Sequence, residues 1–172
     1  MRFLLRALTG CFILLVAAQA AVAGQIEDAA AAYERGDFVT ALRLTKPLAE
    51  RGDRVAQFYV GLMYGSGQGV PQDYAEAAKW YERAADQNLP EAQNNLGLLY
   101  FDGHGVPHDN VRAYMWYNLA AGQSFRAAIA NKSSIVRLMT GDQISRAQAL
   151  SREWKPGSLT PNGEPAATVS AR

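Results

Sequence analysis

From Ala56 onward the apolar positions recur in a fixed order. Ala56, Val60, Met63 and Tyr64 fall at i, i+4, i+7 and i+8, one face of an amphipathic helix over about Val55 to Tyr64. Gly65, Gly67 and Gly69 follow, predicted to break that helix and to permit left-handed backbone angles. Pro71 cannot continue a helix interior, and Asp73-x-x-Glu76 is a capping-box variant that opens a second helix. Its buried stripe is predicted to be Ala77, Trp80, Tyr81, Ala84 and Ala85, small residues facing bulky ones.

The same order then returns. Ala92 follows Ala56 by 36 positions, and the offset holds without a gap through Gly61/Gly97, Tyr64/Tyr100, Gly67/Gly103, Gly69/Gly105, Pro71/Pro107, Asp73/Asp109, Trp80/Trp116 and Tyr81/Tyr117. A period of this length signals stacked helical hairpins rather than a closed globule. The units run over residues 56–91 and 92–127. In the later one Pro90 stands in the first turn of the first helix and Asp109 caps the second. Leu96, Leu99, Tyr100, Ala113, Trp116, Tyr117 and Ala120 supply its core. Gly61 and Gly97 sit inside helices at a cost of about 1 kcal/mol relative to alanine, so a neighbouring helix is expected to come close there.

On either side the pattern degenerates. Residues 25–55 form a shorter first unit: Ala29, Ala32 and Tyr33 keep helical spacing, Gly36-Asp37 separates two helices, and the glycine loop is missing. After Gln123 the residue identities fade. Phe125, Ile129, Ile135, Val136, Leu138 and Met139 predict one more helix, and Thr140-x-x-Gln143 opens another with Ile144, Ala147, Leu150 and Trp154. Residues 128–154 are therefore expected to cap the open end of the stack, as atypical terminal units do. From Lys155 to residue 172, prolines among glycine and serine predict a disordered tail.

Composition changes the picture at two points. Net charge is +1 over 172 residues, so no basic footprint points to nucleic acid. The first 23 residues read as a signal peptide. Arg2 and Arg6 precede an apolar run, and Ala21-Val22-Ala23 gives a small-x-small cleavage site before Gly24. The chain is thus expected to be secreted, with no membrane span after cleavage, although an uncleaved anchor stays open. Cys11, the only cysteine, lies within that segment, and with the apolar run following it the lipoprotein-box reading is set aside. No disulfide framework is expected in the mature chain.

The ordered set of Ala, Gly, Tyr, GxGVP, Asp, Ala, Trp-Tyr and Ala-Ala resembles the Sel-one-like repeat, a relative of the tetratricopeptide repeat. The resemblance covers residues 56–127 in full and about 25–154 with the degenerate units. It implies an all-α solenoid of antiparallel helix hairpins with a C-terminal helical cap, spanning residues 24–154. It also implies a scaffold whose concave face binds other proteins, of the small secreted bacterial type, placed in the periplasm. The cysteine-rich branch of the family, with a disulfide in each repeat, is not this one.

Candidate chemistry is sparse. The glycine loops lack the Lys-Ser/Thr and the preceding strand of a phosphate cradle. Asp102, His104, His108 and Asp109 could in principle hold a divalent ion. Gln68 and Gln72 occupy the equivalent places of the preceding unit, however, so no metal site and no cofactor are predicted. No nucleophile–base set is evident either, and a non-catalytic role is expected. On the first helix of each unit a second stripe, beside the core stripe, is turned toward the inner face. It comprises Phe58, Tyr59 and Leu62 in one unit and Asn94, Asn95, Leu98 and Phe101 in the next. Apolar anchors beside amides suit a protein or peptide partner. The alternative for these residues is packing against the neighbouring hairpin. The alternative ligand is an envelope glycan or peptidoglycan fragment held by Tyr59, Asn94 and Asn95, and a metal-dependent hydrolase at His104/His108 is a third reading.

Overall fold

A polar or proline residue at the right place opens every helix after the first except Arg126–Ile135, which starts after Phe125 without a side-chain cap. In the computed structural model, which describes residues 24–158, a first helix α1 covers 24–34. It is followed by α2 (Phe38–Glu50), α3 (Arg54–Ser66), α4 (Tyr74–Asp86), α5 (Pro90–Asp102), α6 (Asn110–Gly122), α7 (Arg126–Ile135) and α8 (Gly141–Glu153). A 3₁₀ turn, Val136–Leu138, separates the last two. Among the described residues there is no strand. Asp53 accepts from the Ala56 amide at 2.8 Å, Asp73 from Glu76 at 2.9 Å, and Asp109 from Val111 and Arg112 at 2.8 and 3.0 Å. Each such cap is worth about 1 kcal/mol. Thr140 and Gln143 complete a reciprocal capping box at α8, while Pro90 opens α5 without a side-chain cap.

The helices pack as consecutive pairs, α3 on α4 and α5 on α6, with α2 on α3 and α4 on α5 joining one pair to the next. This is an all-α solenoid. The close approach expected at the helical glycines is present: a β-carbon on Gly61 would lie 2.6 Å from the Tyr81 ring, and one on Gly97 2.6 Å from the Tyr117 ring. Between units the loops lock by contact with the pair before. A β-carbon on Gly69 would meet the Phe38 backbone at 2.8 Å, and one on Gly105 would collide with the backbone of Tyr74 and Ala75. Both glycines have positive φ, so the loop conformation and the close contact require the same residue.

A glutamine ladder ties the turns together. Gln87 donates to Gly52 O and Gln57 Oε1 at 2.9 and 2.8 Å. One unit later Gln123 donates to Asn88 Oδ1 and Gln93 Oε1 at 3.0 and 2.9 Å. Gln57 and Gln93, both buried, donate in turn to Ala49 O and Ala85 O. The buried amides of Gln57 and Gln93 are thereby satisfied at these two joints.

Three expectations are corrected. Gly65 is inside α3 and not part of the break, which begins at Gly67 with φ of 68°. The segment 125–139 is not one helix with an apolar core face: α7 ends at Ile135, and Ile129, Val136 and Leu138 are 45%, 37% and 62% exposed. The reason is that α8 packs chiefly on α6, and no helix among the described residues packs on that side of α7 as α4 and α6 pack on α3 and α5. Finally, the chain does not leave the fold at Lys155. The Gly157 amide donates to Asp86 O at 2.9 Å and the Ser158 amide to Asp86 Oδ1 at 3.1 Å, which pins 155–158 to the end of α4. The segments 1–23, read as a signal peptide, and 159–172 lie outside the described residues.

Candidate functional site

The first helices of the pairs, α1, α3 and α5, carry the candidate residues, and α7 lies in series with them. Their starts keep the period: Arg54, Pro90 and Arg126 are 36 positions apart. Because the core stripe faces the second helix of each pair and the preceding pair, the next stripe round is left half-buried. Phe58, Leu62, Leu98 and Phe101 pack on the edge of the core, and Tyr59 packs on the cluster formed by the first two units.

Aromatic rings run edge to face across this stripe. Phe38 meets Tyr33 at 5.2 Å, Tyr33 meets Tyr59 at 5.6 Å, and Tyr59 meets Phe58 at 5.8 Å. Phe58 also lies 6.0 Å from Tyr81, whose hydroxyl shares a hydrogen bond with the Asn95 side chain. From there the file is polar. Asn94 Nδ2 donates to Asn95 Oδ1 at 3.2 Å, and Asn131 Nδ2 donates to Asn94 Oδ1 at 2.9 Å. Asn94 is only 5% exposed. It is committed to holding Asn95 and Asn131, the packing role weighed for this stripe, and its own amide does not face solvent.

Beyond the amides, Leu98 and Phe101 line a groove of about 80 Å³ with Tyr117, Asn131, Ser134 and Ile135. The structure thus brings Phe58 and Tyr59 together with Tyr33, and Leu98 and Phe101 together with Asn131. Burial pushes the Tyr81 hydroxyl up to about 12 against the opposing bond from Asn95. It also raises Tyr117, with Asp102 adding to the shift, and Tyr33, with Tyr59 adding. These tyrosines are neutral across the physiological range, with Tyr33 and Tyr81 hydrogen-bonded.

Sequence reasoning missed Tyr33, Asn131 and Ile135. Asn131 was within reach, since Tyr59, Asn95 and Asn131 stand 36 apart. Tyr33 had no such signal because the short loop of the first unit puts α1 out of phase.

The two histidines are engaged separately. His104 stacks on Tyr74 at 4.6 Å and 17°. His108 Nδ1 lies 2.6 Å from Phe101 O, and a carbonyl only accepts, so Nδ1 carries the proton. Gln72 makes the same bond to Gly65 O at 2.8 Å in the preceding unit. Among the described residues no group of three His, Cys, Asp or Glu side chains is placed to hold a metal ion. No described helix is long and apolar enough to cross a membrane.

Comparison with known proteins agrees with this geometry. The Sel1 repeat family model matches residues 54–89 and 90–125, so the chain carries two Sel1 repeats. The protective antigen c5321 of uropathogenic Escherichia coli strains, which displays an SLR fold, is similar over 80% of this chain at 29% identity with a TM-score of 0.75. A Sel1 repeat protein from Oxalobacter formigenes is similar over 72% of this chain at 26% identity with a TM-score of 0.63. The chain spans 30% and 55% of those two proteins respectively. No curated protein matches it.

Proposed function

We propose, from two Sel1 repeats set in a solenoid of SLR type, that this chain is an exported, non-catalytic adaptor that binds a segment of a partner protein along its α1–α3–α5–α7 stripe. Sel1 repeats form a scaffold fold that generally mediates protein–protein interaction. The observation that carries the site is the continuous file of uncharged groups from Tyr33 through Tyr59 and Phe58 to Asn95 and Asn131, ending at the Leu98/Phe101 groove. Aromatic and aliphatic anchors take side chains of the partner, and the exposed edge of the Asn95 amide takes its backbone. Asn94 acts through the two asparagines it positions. The stripe is short, so affinity is expected to be modest unless several copies act together. Export to a bacterial periplasm is part of this proposal and rests on the charge, apolar run and cleavage-site pattern of residues 1–23.

The test is crosslinked co-purification of the mature chain from its native envelope beside a Leu62→Asp/Leu98→Asp variant, with helicity checked by circular dichroism. Recovery of a partner by wild type and its loss in the folded variant supports adaptor and site together. Equal recovery keeps the adaptor and discards the stripe. Recovery of nothing, with retention on glycan or peptidoglycan fragments, would transfer the site to the glycan reading.

A further inference from the structure

Among the described residues, the last first-helix of the stack stands without its second. Helix α7 docks on α6 as α5 docks on α4. Its buried positions agree in register: Ala128 matches Ala56 and Ala92, and Ile135 matches Met63 and Leu99, all of them buried. In α3 and α5 the adjoining face is covered by the second helix of the same pair, whose Tyr81 or Tyr117 ring lies over Gly61 or Gly97. The residue 36 positions on is Ser133, and it is exposed. Val136, at the place of Tyr64 and Tyr100, is 37% exposed. The helix that would have covered them, α8, packs on α6 instead.

Charge says what fits there. Residues 126–158 hold six basic side chains, Arg126, Lys132, Arg137, Arg146, Arg152 and Lys155, against Asp142 and Glu153, a net of +4. Residues 24–125 hold eight basic and thirteen acidic side chains, a net of −5. Helix α7 and the turn after it contain no acidic residue. Arg126 and Arg137 are exposed, beside Ile129 and Leu138. Lys132 is half-buried and donates to Asn118 Oδ1 at 3.2 Å.

We propose that the open face of α7, continued by the exposed Val136 and Leu138 of the turn after it, is a docking site for an amphipathic helix of another protein, apolar toward Ser133 and Val136 and acidic on its flanks. Such a helix completes the hairpin that the described residues leave half-built. This surface is separate from the stripe assigned above and does not depend on it.

The test uses the full mature chain and two helix-stapled peptides made from the sequence of α4, the helix that covers α3 in the same slot. The acidic peptide carries Lys79→Glu and Arg83→Glu, and the basic peptide carries Glu76→Lys and Glu82→Lys. Fluorescence anisotropy is expected to show the acidic peptide binding at least about tenfold more tightly, with the gap closing at high salt. A Val136→Asp/Leu138→Asp variant is expected to lose the binding. An Arg126→Glu/Arg137→Glu variant, altered only at exposed positions, is expected to reverse the preference. Equal binding of both peptides, binding of neither, or indifference to both variants overturns the proposal. So does binding to anionic phosphatidylglycerol vesicles in place of the peptide, or a concentration-dependent dimer abolished by Arg126→Glu/Arg137→Glu. The first outcome would assign the face to a lipid surface and the second to another copy of this chain.

Discussion

Lys79 and Met115 occupy the same position in successive repeats, 36 residues apart, and their surroundings are opposite. Lys79 is exposed on α4 and pairs with Glu76 at 2.9 Å. Met115 on α6 is 1% exposed, with Ser151 of α8 donating to its carbonyl at 3.4 Å. The hairpins that carry them are otherwise alike, down to the tyrosine ring over the helical glycine. The difference lies in the outer face of the second helix. On α4 that face is charged, with Lys79 and Arg83 exposed. On α6, Val111, Tyr114 and Met115 join Trp116 and Tyr117 in being buried. A helix whose apolar residues spread beyond one stripe must be covered on more than one side, and α5, α7 and α8 do this for α6. Repeated residues thus build each hairpin, and the residues between them decide what may lie on it.

The sharpest way to break the comparison is to make α6 resemble α4. Met115→Lys places a charge beneath α8 with no carboxylate partner provided for it. It is expected to cost more than about 3 kcal/mol in urea denaturation or to release α8 from α6. Release would show as loss of the edge-on contact between Trp116 and Trp154, now 6.0 Å apart, in near-ultraviolet circular dichroism. A variant as stable as wild type, with the tryptophan signal intact, would refute the covering role of α8.

The paired tyrosines sharpen it next. Burial raises the hydroxyls of both Tyr81 and Tyr117 above the ordinary tyrosine value, Tyr81 to about 12. The folded state therefore retains these protons at pH values where the unfolded chain has lost them. Their contribution is full below about pH 10, the unfolded value, and is lost as pH rises above it, through about 12 for Tyr81 and higher still for Tyr117. Alkaline titration of the urea midpoint is expected to show a decline beginning near pH 10. Tyr117→Phe should flatten it more than Tyr81→Phe, because Tyr81 has the opposing bond from Asn95.

The helical glycines give a smaller contrast. A β-carbon at Gly61 meets ring atoms of Tyr81, whereas at Gly97 it also meets Ala113 O at 3.2 Å, a backbone atom that cannot rotate away. Overpacking costs about 1–3 kcal/mol and alanine returns about 1 kcal/mol of helix propensity. Gly97→Ala is expected to lose about 1–2 kcal/mol by urea denaturation and Gly61→Ala less. The reverse order would mean that the rings, not the backbone, limit the approach.

Much of this frame could be read directly from the chain. The 36-residue offset gave the hairpins, the aspartate caps and the close approach at Gly61 and Gly97, because each is a local demand on one residue type. What escaped was set by packing between segments distant in sequence. Nothing in Thr140–Trp154 says that α8 lies on α6, although the apolar Val111, Tyr114 and Met115 on the outer side of α6 signal that some cover is needed. Of the candidate stripe, Phe58, Tyr59, Leu62, Asn95, Leu98 and Phe101 are half-buried where the helical phase put them. Asn94 was misjudged as a contact because its partner, Asn131, lies in a helix whose sequence no longer resembles the repeat. The period of the backbone outlasts the period of the residues by one helix: the buried Ala128 and Ile135 keep the register of α7, and Asn131 and Lys132 tie it to α5 and α6.

The same position tested in the opposite direction gives the smallest effect. Lys79→Ala removes an exposed i,i+3 pair with Glu76. The pair draws the lysine pKa upward, through the hydrogen bond first and the charge of Glu76 second, but both partners face water. In water the attraction is weak, salt screens it, and holding two long side chains in one geometry opposes it. Alanine also favours the helix more than lysine does. Lys79→Ala is therefore expected to leave the urea midpoint unchanged, at low salt and at high. A loss comparable to that of Met115→Lys would mean that the outer face of α4 is covered as well, and that the two repeats differ in composition and not in environment.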